Sequence, residues 1–228
     1  MARLAGIALL KDAGIDLAPF EARSRWRKFE PEEILVDFDD LSSDVYFLVM
    51  GEVRVLIRTP SGKEVILGEM RAGQLFGELA AIDGIKRSAN VSALTRGEVC
   101  IMSSAVFREL VFGAPPIADR LFRLLTARVR ELNGRLIEHA VLDLRHRLYA
   151  ELLRMSVPRP GHDGERVVTP PPFHHVLANR IGCRREQITR EFTTMAQDGL
   201  VERTRGALVV RRPEVLQARV VEAMQEGG

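Results

Sequence analysis

Cysteine is nearly absent: Cys100 and Cys183 are the only two in 228 residues. Two thiols so far apart exclude a disulfide framework or a four-thiolate metal centre, and both read as small buried apolar residues. Long hydrophobic runs are missing as well. No segment reaches the roughly 18 apolar residues of a membrane span. The opening stretch MARLAGIALLKDAG meets an acid at Asp12, too early for a signal peptide, so the chain reads as cytoplasmic with no membrane partner. The five histidines (His139, His146, His162, His174, His175) show no metal-ligand spacing with nearby carboxylates, and no Gly-x-Ser-x-Gly elbow occurs. A hydrolytic or metal-dependent enzyme is therefore disfavoured, and the chain reads as non-catalytic. A large charge of one sign is also lacking, since the net charge is only +2. Bulk electrostatics announce no nucleic-acid partner.

What is present is unevenly distributed. From about residue 26 to 103 the pattern is β: Val45-Tyr46-Phe47-Leu48-Val49, Val53-Arg54-Val55-Leu56-Ile57 and Val65-Ile66-Leu67 are short runs rich in β-branched and aromatic residues. Glycines punctuate them, and Ser61-Gly62 is a good hairpin turn. Many short strands at this spacing point to a barrel or sandwich, not a parallel sheet. After Pro115-Pro116 the period changes. Ala118, Phe122, Leu125, Val129, Leu132 and Leu136 form a heptad seam flanked by charged residues, while Leu121 and Leu124 make a second stripe able to pack back on the β domain. A helix of some 25 residues would be about 37 Å long. A second helix is expected over Leu142 to Met155, and Pro170-Pro171-Pro172 forbid helix until Phe173.

The last third carries a helix, a turn and a helix. His174 to Ile181 has Leu177 and Ile181 on its inner face, Gly182 supplies the turn, and the helix resumes over Arg184 to Gln197 with Ile188, Phe192 and Met195 inward. Arg185, Glu186, Thr189 and Arg190 then lie on the opposite face. Arginine forks onto guanine O6 and N7, and glutamate accepts from cytosine N4. Leu200 to Arg203 and Ala207 to Val210 around Gly206 read as a wing. Between Arg180 and Arg212 stand eight arginines against four acids, a local excess able to line a phosphate backbone.

In the β region, Gly73-Gln74-Leu75-Phe76-Gly77-Glu78-Leu79-Ala80 is followed by Arg87-Ser88-Ala89. Gly77 lets backbone approach a ligand, Arg87 neutralises a phosphate through a forked contact, Ser88 adds a hydroxyl and Glu78 takes a ribose 2′-OH.

Val-Met-Gly-Glu-Val (49–53), Phe-Gly-Glu-Leu (76–79) and Arg-Ser-Ala (87–89) resemble the phosphate-binding cassette of cyclic-nucleotide-binding domains. Gly182 to Glu186 with Arg190 resembles the recognition helix of the CRP/FNR family, and the likeness runs from about Trp26 to Val210. It implies an α+β chain with an N-terminal double-stranded, jelly-roll-like β-roll (1–114), a long dimerisation helix (115–141) and a C-terminal winged helix-turn-helix (142–228). It further implies a homodimeric transcription regulator, controlled by cAMP or cGMP (cAMP ahead), that binds double-stranded DNA at a TGTGA-like palindrome and meets RNA polymerase.

By the same resemblance Gly77, Glu78, Leu79, Arg87, Ser88 and Ala89 hold the nucleotide. Arg185, Glu186 and Arg190 read bases, with Arg184, Gln187, Thr189 and His174 beside them. The oxygen-sensing branch of the family needs an N-terminal cysteine cluster that is absent, and His139, at a seam position, reads as packing and not as a haem ligand.

Two departures stand out. The Thr-Ser pair that contacts adenine in the catabolite activator falls on Leu132-Asn133, and the threonine capping the first motif helix is Phe173. Leucine neither donates nor accepts, so the base stays open between adenine and guanine, and a regulator of the same type with no cyclic-nucleotide response is the alternative. A cyclic-nucleotide module of an enzyme or channel is disfavoured by the helix-turn-helix.

Overall fold

The computed structural model describes residues 3–60 and 62–226 and divides into two compact units, Met1–Arg128 and Val129–Gly228. In the first, helix α1 (Ala18–Ala22) precedes strands β1 (Arg25–Phe29), β2 (Ile34–Val36), β3 (Val45–Met50), β4 (Glu52–Arg58), β5 (Glu64–Arg71) and β6 (Leu75–Phe76). Helix α2 (Glu78–Asp83), β7 (Asn90–Ala93), β8 (Gly97–Met102), α3 (Ser104–Gly113) and the start of α4 (Pro115–Val141) complete it. The strands form two antiparallel four-stranded sheets, in the orders β1-β8-β3-β6 and β2-β7-β4-β5. This is the β-roll.

Strand periodicity explains why β3 and β8 are apolar almost throughout. Side chains alternate across a sheet. Tyr46, Leu48, Val99 and Ile101 enter the core with Phe29, Val53 and Phe76. Val45, Phe47, Cys100 and Met102 face the other way, onto Phe107 and Leu110 of α3 and Ile117 and Leu121 of α4. A sheet covered on both sides needs both sets of positions hydrophobic. Burial pushes the Cys100 thiol up to about 11, which leaves it inert.

Two expectations change here, and a third falls on a residue outside those described. The stretch 26–103 is not continuous β, because α2 interrupts it. Gly77 and Gly84, both left-handed, bracket that helix, and Glu78, Ala80 and Ala81 are its buried residues. Ser61 lies outside the described residues, although Thr59 and Lys63 on either side pair as hairpin ends do. The seam is also shorter than the heptad count, since Ala118 and Leu125 pack against the roll. Phe122, Val129, Leu132 and Leu136 remain more than half exposed. Proline at the first two helical positions costs α4 no hydrogen bond.

In the second unit the end of α4 leads to α5 (Leu144–Met155), β9 (Val157–Pro158), β10 (Arg166–Val168), α6 (His174–Ile181), α7 (Arg185–Gln197), β11 (Val201–Arg203), β12 (Leu208–Val210) and α8 (Pro213–Glu226). Asp143 caps α5, its carboxylate accepting from His146 N–H at 2.9 Å. The expected helix from Leu142 therefore starts two residues later. Gly182, at φ +73°, ends α6. The wing is larger than a hairpin: β11-β12-β10-β9 form one sheet, and α8 was not anticipated. Leu148, Leu177, Ile188, Met195, Val210 and Leu216 make one core beneath α6 and α7.

Candidate nucleotide pocket and nucleic-acid interface

Gly77 adopts φ +84°, and a Cβ there would lie 2.7 Å from Arg87 Nη1 and 2.8 Å from the Asp44 carbonyl oxygen. Only glycine satisfies both the left-handed backbone and the close approach. The Arg87 side chain runs inward and is 3% exposed. Its Nε donates to Ser42 Oγ at 3.0 Å, Nη1 to the Gly77 carbonyl at 3.0 Å and Nη2 to the Asp44 carbonyl at 2.8 Å. The guanidinium also lies 5.7 Å from the centre of the Tyr46 ring. Every acceptor of this buried cation is neutral. Such a group is placed to gain from an anion.

Beside it, Glu78 is 2% exposed and paired with Arg128 of α4, which also donates to the Leu75 carbonyl at 3.1 Å. Burial pushes the Glu78 carboxyl up and Arg128 partly opposes that shift. Ala89 is buried, while Leu79 and Ser88 are exposed. Gly77, Glu78 and Arg87 thus converge, and Leu79 and Ser88 border them in sequence on the outer surface. Leu132 and Asn133 are exposed on α4 in the second unit.

On α7, Arg185, Glu186 and Arg190 are exposed and stand on one face by helical spacing. Gln187 and Thr189 also make hydrogen bonds within the motif. Gln187 Oε1 accepts the Arg184 N–H at 3.0 Å, closing the helix start. Thr189 Oγ1 donates to the Arg185 carbonyl at 3.2 Å and meets His174 Nδ1 at 2.9 Å. Both side chains therefore brace the helix. The arginine excess also divides. Arg180 turns inward to Glu151 at 3.1 Å, Arg211 pairs with Glu202, and Arg212 holds the Asp198 carbonyl. Among the described residues, Arg185, Arg190, Arg203 and Arg205 have no carboxylate partner, although most arginines elsewhere in the chain do.

Residues 26–113 match the cyclic nucleotide-binding domain model, and residues 119–219 match the Crp-like helix-turn-helix domain model. The chain belongs to the CRP/FNR family. This CRP/FNR protein is 28% identical over 187 residues to the cAMP-activated global transcriptional regulator CRP of Salmonella typhimurium, covering 80% of this chain and 88% of that one. It is 24% identical over 176 residues to the CRP-like cAMP-activated global transcriptional regulator of Mycobacterium tuberculosis, covering 77% and 79%. Its fold is similar to that of a CooA mutant from Carboxydothermus hydrogenoformans (TM-score 0.78, 17% identity, covering 93% and 95%). It is also similar to the c-di-GMP responsive regulator CLP of Xanthomonas campestris (TM-score 0.70, 22% identity, covering 84% and 95%). A CRP-like transcription regulator with a cyclic-nucleotide-binding domain and a DNA-binding motif is what these likenesses establish. No helix among the described residues is long and apolar enough to cross a membrane.

Sequence reading of this CRP/FNR regulator missed Arg128, which continues the Ile117, Leu121, Leu124 stripe at helical spacing and so faces the roll. That spacing was a usable signal. Ser42 and Asp44, which hold Arg87 through a hydroxyl and a carbonyl, left none. Arg203 was visible only as one wing arginine among several.

Proposed function

We propose that this protein is a homodimer whose affinity for a TGTGA-like DNA palindrome is set by a cyclic nucleotide, with cAMP ahead of cGMP. The observation that carries the reading is Arg87, a buried guanidinium whose three hydrogen-bond acceptors are all neutral, set against a glycine that no other residue can replace. The cyclic phosphate takes the place of those acceptors, and the ribose hydroxyl competes with Arg128 for Glu78. Gly77, Leu79, Ser88 and Ala89 border the ligand. Leu132 and Asn133 approach the base, with Asn133 able to bond either purine edge. Phe122, Val129, Leu132 and Leu136 cover one another across a two-fold axis. Arg185, Glu186 and Arg190 read bases, while Arg184 contacts phosphate, and the protein works beside RNA polymerase in the cytoplasm without catalysing a reaction. The nucleotide shifts the dimer between two arrangements only as far as it binds one of them better.

A second reading, the same DNA binder with another effector, is favoured by two observations: Arg128 already occupies Glu78, and Leu132 offers a purine no hydrogen bond. Calorimetric titration with cAMP and with cGMP, beside Arg87→Leu, decides between them. Heat from cAMP that Arg87→Leu abolishes, with tighter palindrome binding when cAMP is present, is the expected result. Silence from both nucleotides with DNA still bound selects the second reading.

A further inference from the structure

A small cavity of about 290 Å³ opens beside α6, lined by Phe173, His174, His175, Arg185 and Arg203. Three separate elements bring the two imidazoles and the two guanidinium groups together: α6, the first turn of α7 and β11. Neither arginine has a carboxylate partner among the described residues. Like charges assembled in a concave surface without a counter-ion mark an anion site.

The hydrogen bonds fix the tautomer of His174. Thr189 has a single hydroxyl proton, which goes to the Arg185 carbonyl. The contact between Thr189 Oγ1 and His174 Nδ1 at 2.9 Å is then donated by the imidazole Nδ1–H. Nε2 carries the lone pair and is the titrating atom. The ring is held flat on Phe192, with centres 5.1 Å apart and planes 5° from parallel. Charged groups facing it are Arg203 from β11 and Arg185 from α7, with His175 adjacent in the chain, and no carboxylate is among them. Burial and then the two arginines hold His174 below the ordinary histidine value, so it is neutral in the free protein at neutral pH.

We propose that this cavity seats a DNA phosphodiester and that His174 takes up a proton from solvent at Nε2 as the phosphate arrives, so that duplex affinity rises as pH falls. The inference rests on the DNA-binding reading above and adds its regulation. A phosphate among Arg185, Arg203 and His174 reverses the local field, raises the histidine's affinity for a proton and receives a charge-assisted hydrogen bond from Nε2–H. Linkage then gives up to one proton per copy, or about a tenfold gain per copy for each pH unit within the window between the free and bound values.

Fluorescence anisotropy of the full chain on a labelled palindrome, from pH 6 to pH 8 at fixed ionic strength and saturating nucleotide, tests this. Affinity is expected to rise at least threefold from pH 7 to pH 6. His174→Asn keeps a donor for Thr189 but does not titrate, so it should flatten that slope; His175→Asn should retain the slope. In parallel, the His174 ring Cε1–H resonance should titrate at higher pH with DNA bound than without. An unchanged slope in His174→Asn, or identical titration of the ring in both states, overturns the proposal and leaves DNA binding intact. No binding at any pH overturns both.

Discussion

Replacing Gly77 by alanine separates two physical effects that Gly84 presents singly. Gly84, at φ +71°, ends α2 with nothing within 4 Å of a would-be Cβ. Alanine there meets only the cost of the left-handed backbone, roughly 1–2 kcal/mol. Gly77, at φ +84°, adds collisions at 2.7 Å with Arg87 Nη1 and 2.8 Å with the Asp44 carbonyl. The arginine tip can swing aside; the carbonyl is backbone and cannot move without shifting the loop. Overpacking of this kind costs a further 1–3 kcal/mol, about. At roughly 4 °C per kcal/mol for a unit of this size, Gly84→Ala should lower the melting temperature by about 4–8 °C and Gly77→Ala by about 8–20 °C. Because Arg87 is the group displaced, Gly77→Ala should also weaken nucleotide binding by about tenfold or more, whereas Gly84→Ala should leave it within about threefold. Calorimetric melting and nucleotide titration of both variants are the assays. Coincident melting temperatures together with equal nucleotide affinities would refute the reasoning.

Further outcomes are expected in the second unit. Glu151, 2% exposed, is shared by Arg180 and Arg154, and Arg154 reaches on to Glu138 of α4 at 2.6 Å; Glu151→Leu should cost about 3–5 kcal/mol in urea unfolding, and adding Arg180→Met should recover much of it. His139 is held below its ordinary value by burial and then Arg147, as His174 is by burial and then Arg203. The unfolded chain therefore binds more protons, and stability present above about pH 6.5 should decline as pH falls below it; a urea midpoint flat from pH 7 to pH 5.5 would contradict this. Leu136→Glu, at the most exposed seam position (69%), should give a monomer in sedimentation velocity, and an unaltered dimer would place the interface elsewhere.

The candidate sites were legible to different depths. Gly77, Glu78 and Arg87 could be read from spacing because a tight turn, a carboxylate and a guanidinium have distinct chemistry. Gln187 and Thr189 were expected beside the base-reading residues of α7, and the hydrogen bonds that tie them to the Arg184 N–H and the Arg185 carbonyl could not be read from spacing. Of the eight arginines counted between Arg180 and Arg212, three are paired within the chain: Arg180 with Glu151, Arg211 with Glu202 and Arg212 with the Asp198 carbonyl. A sequence records charge but not direction. The four-stranded wing also escaped notice, since β9 is two residues long and β10 three, too short for any periodicity.

By itself, the order of residues determined the two periods, 2 in the roll and 3.6 in the long helix from Pro115 and the helix pair near Gly182, and the places where glycine or proline must interrupt them, because these follow from local sterics and from which face avoids water. Tertiary structure alone decided which charges meet. Arg128 reaches Glu78 across 50 positions, and Arg87 is enclosed by Ser42 and Asp44 from a distant loop. Such pairings depend on how separate strands and helices are laid against each other, and no short-range pattern encodes them.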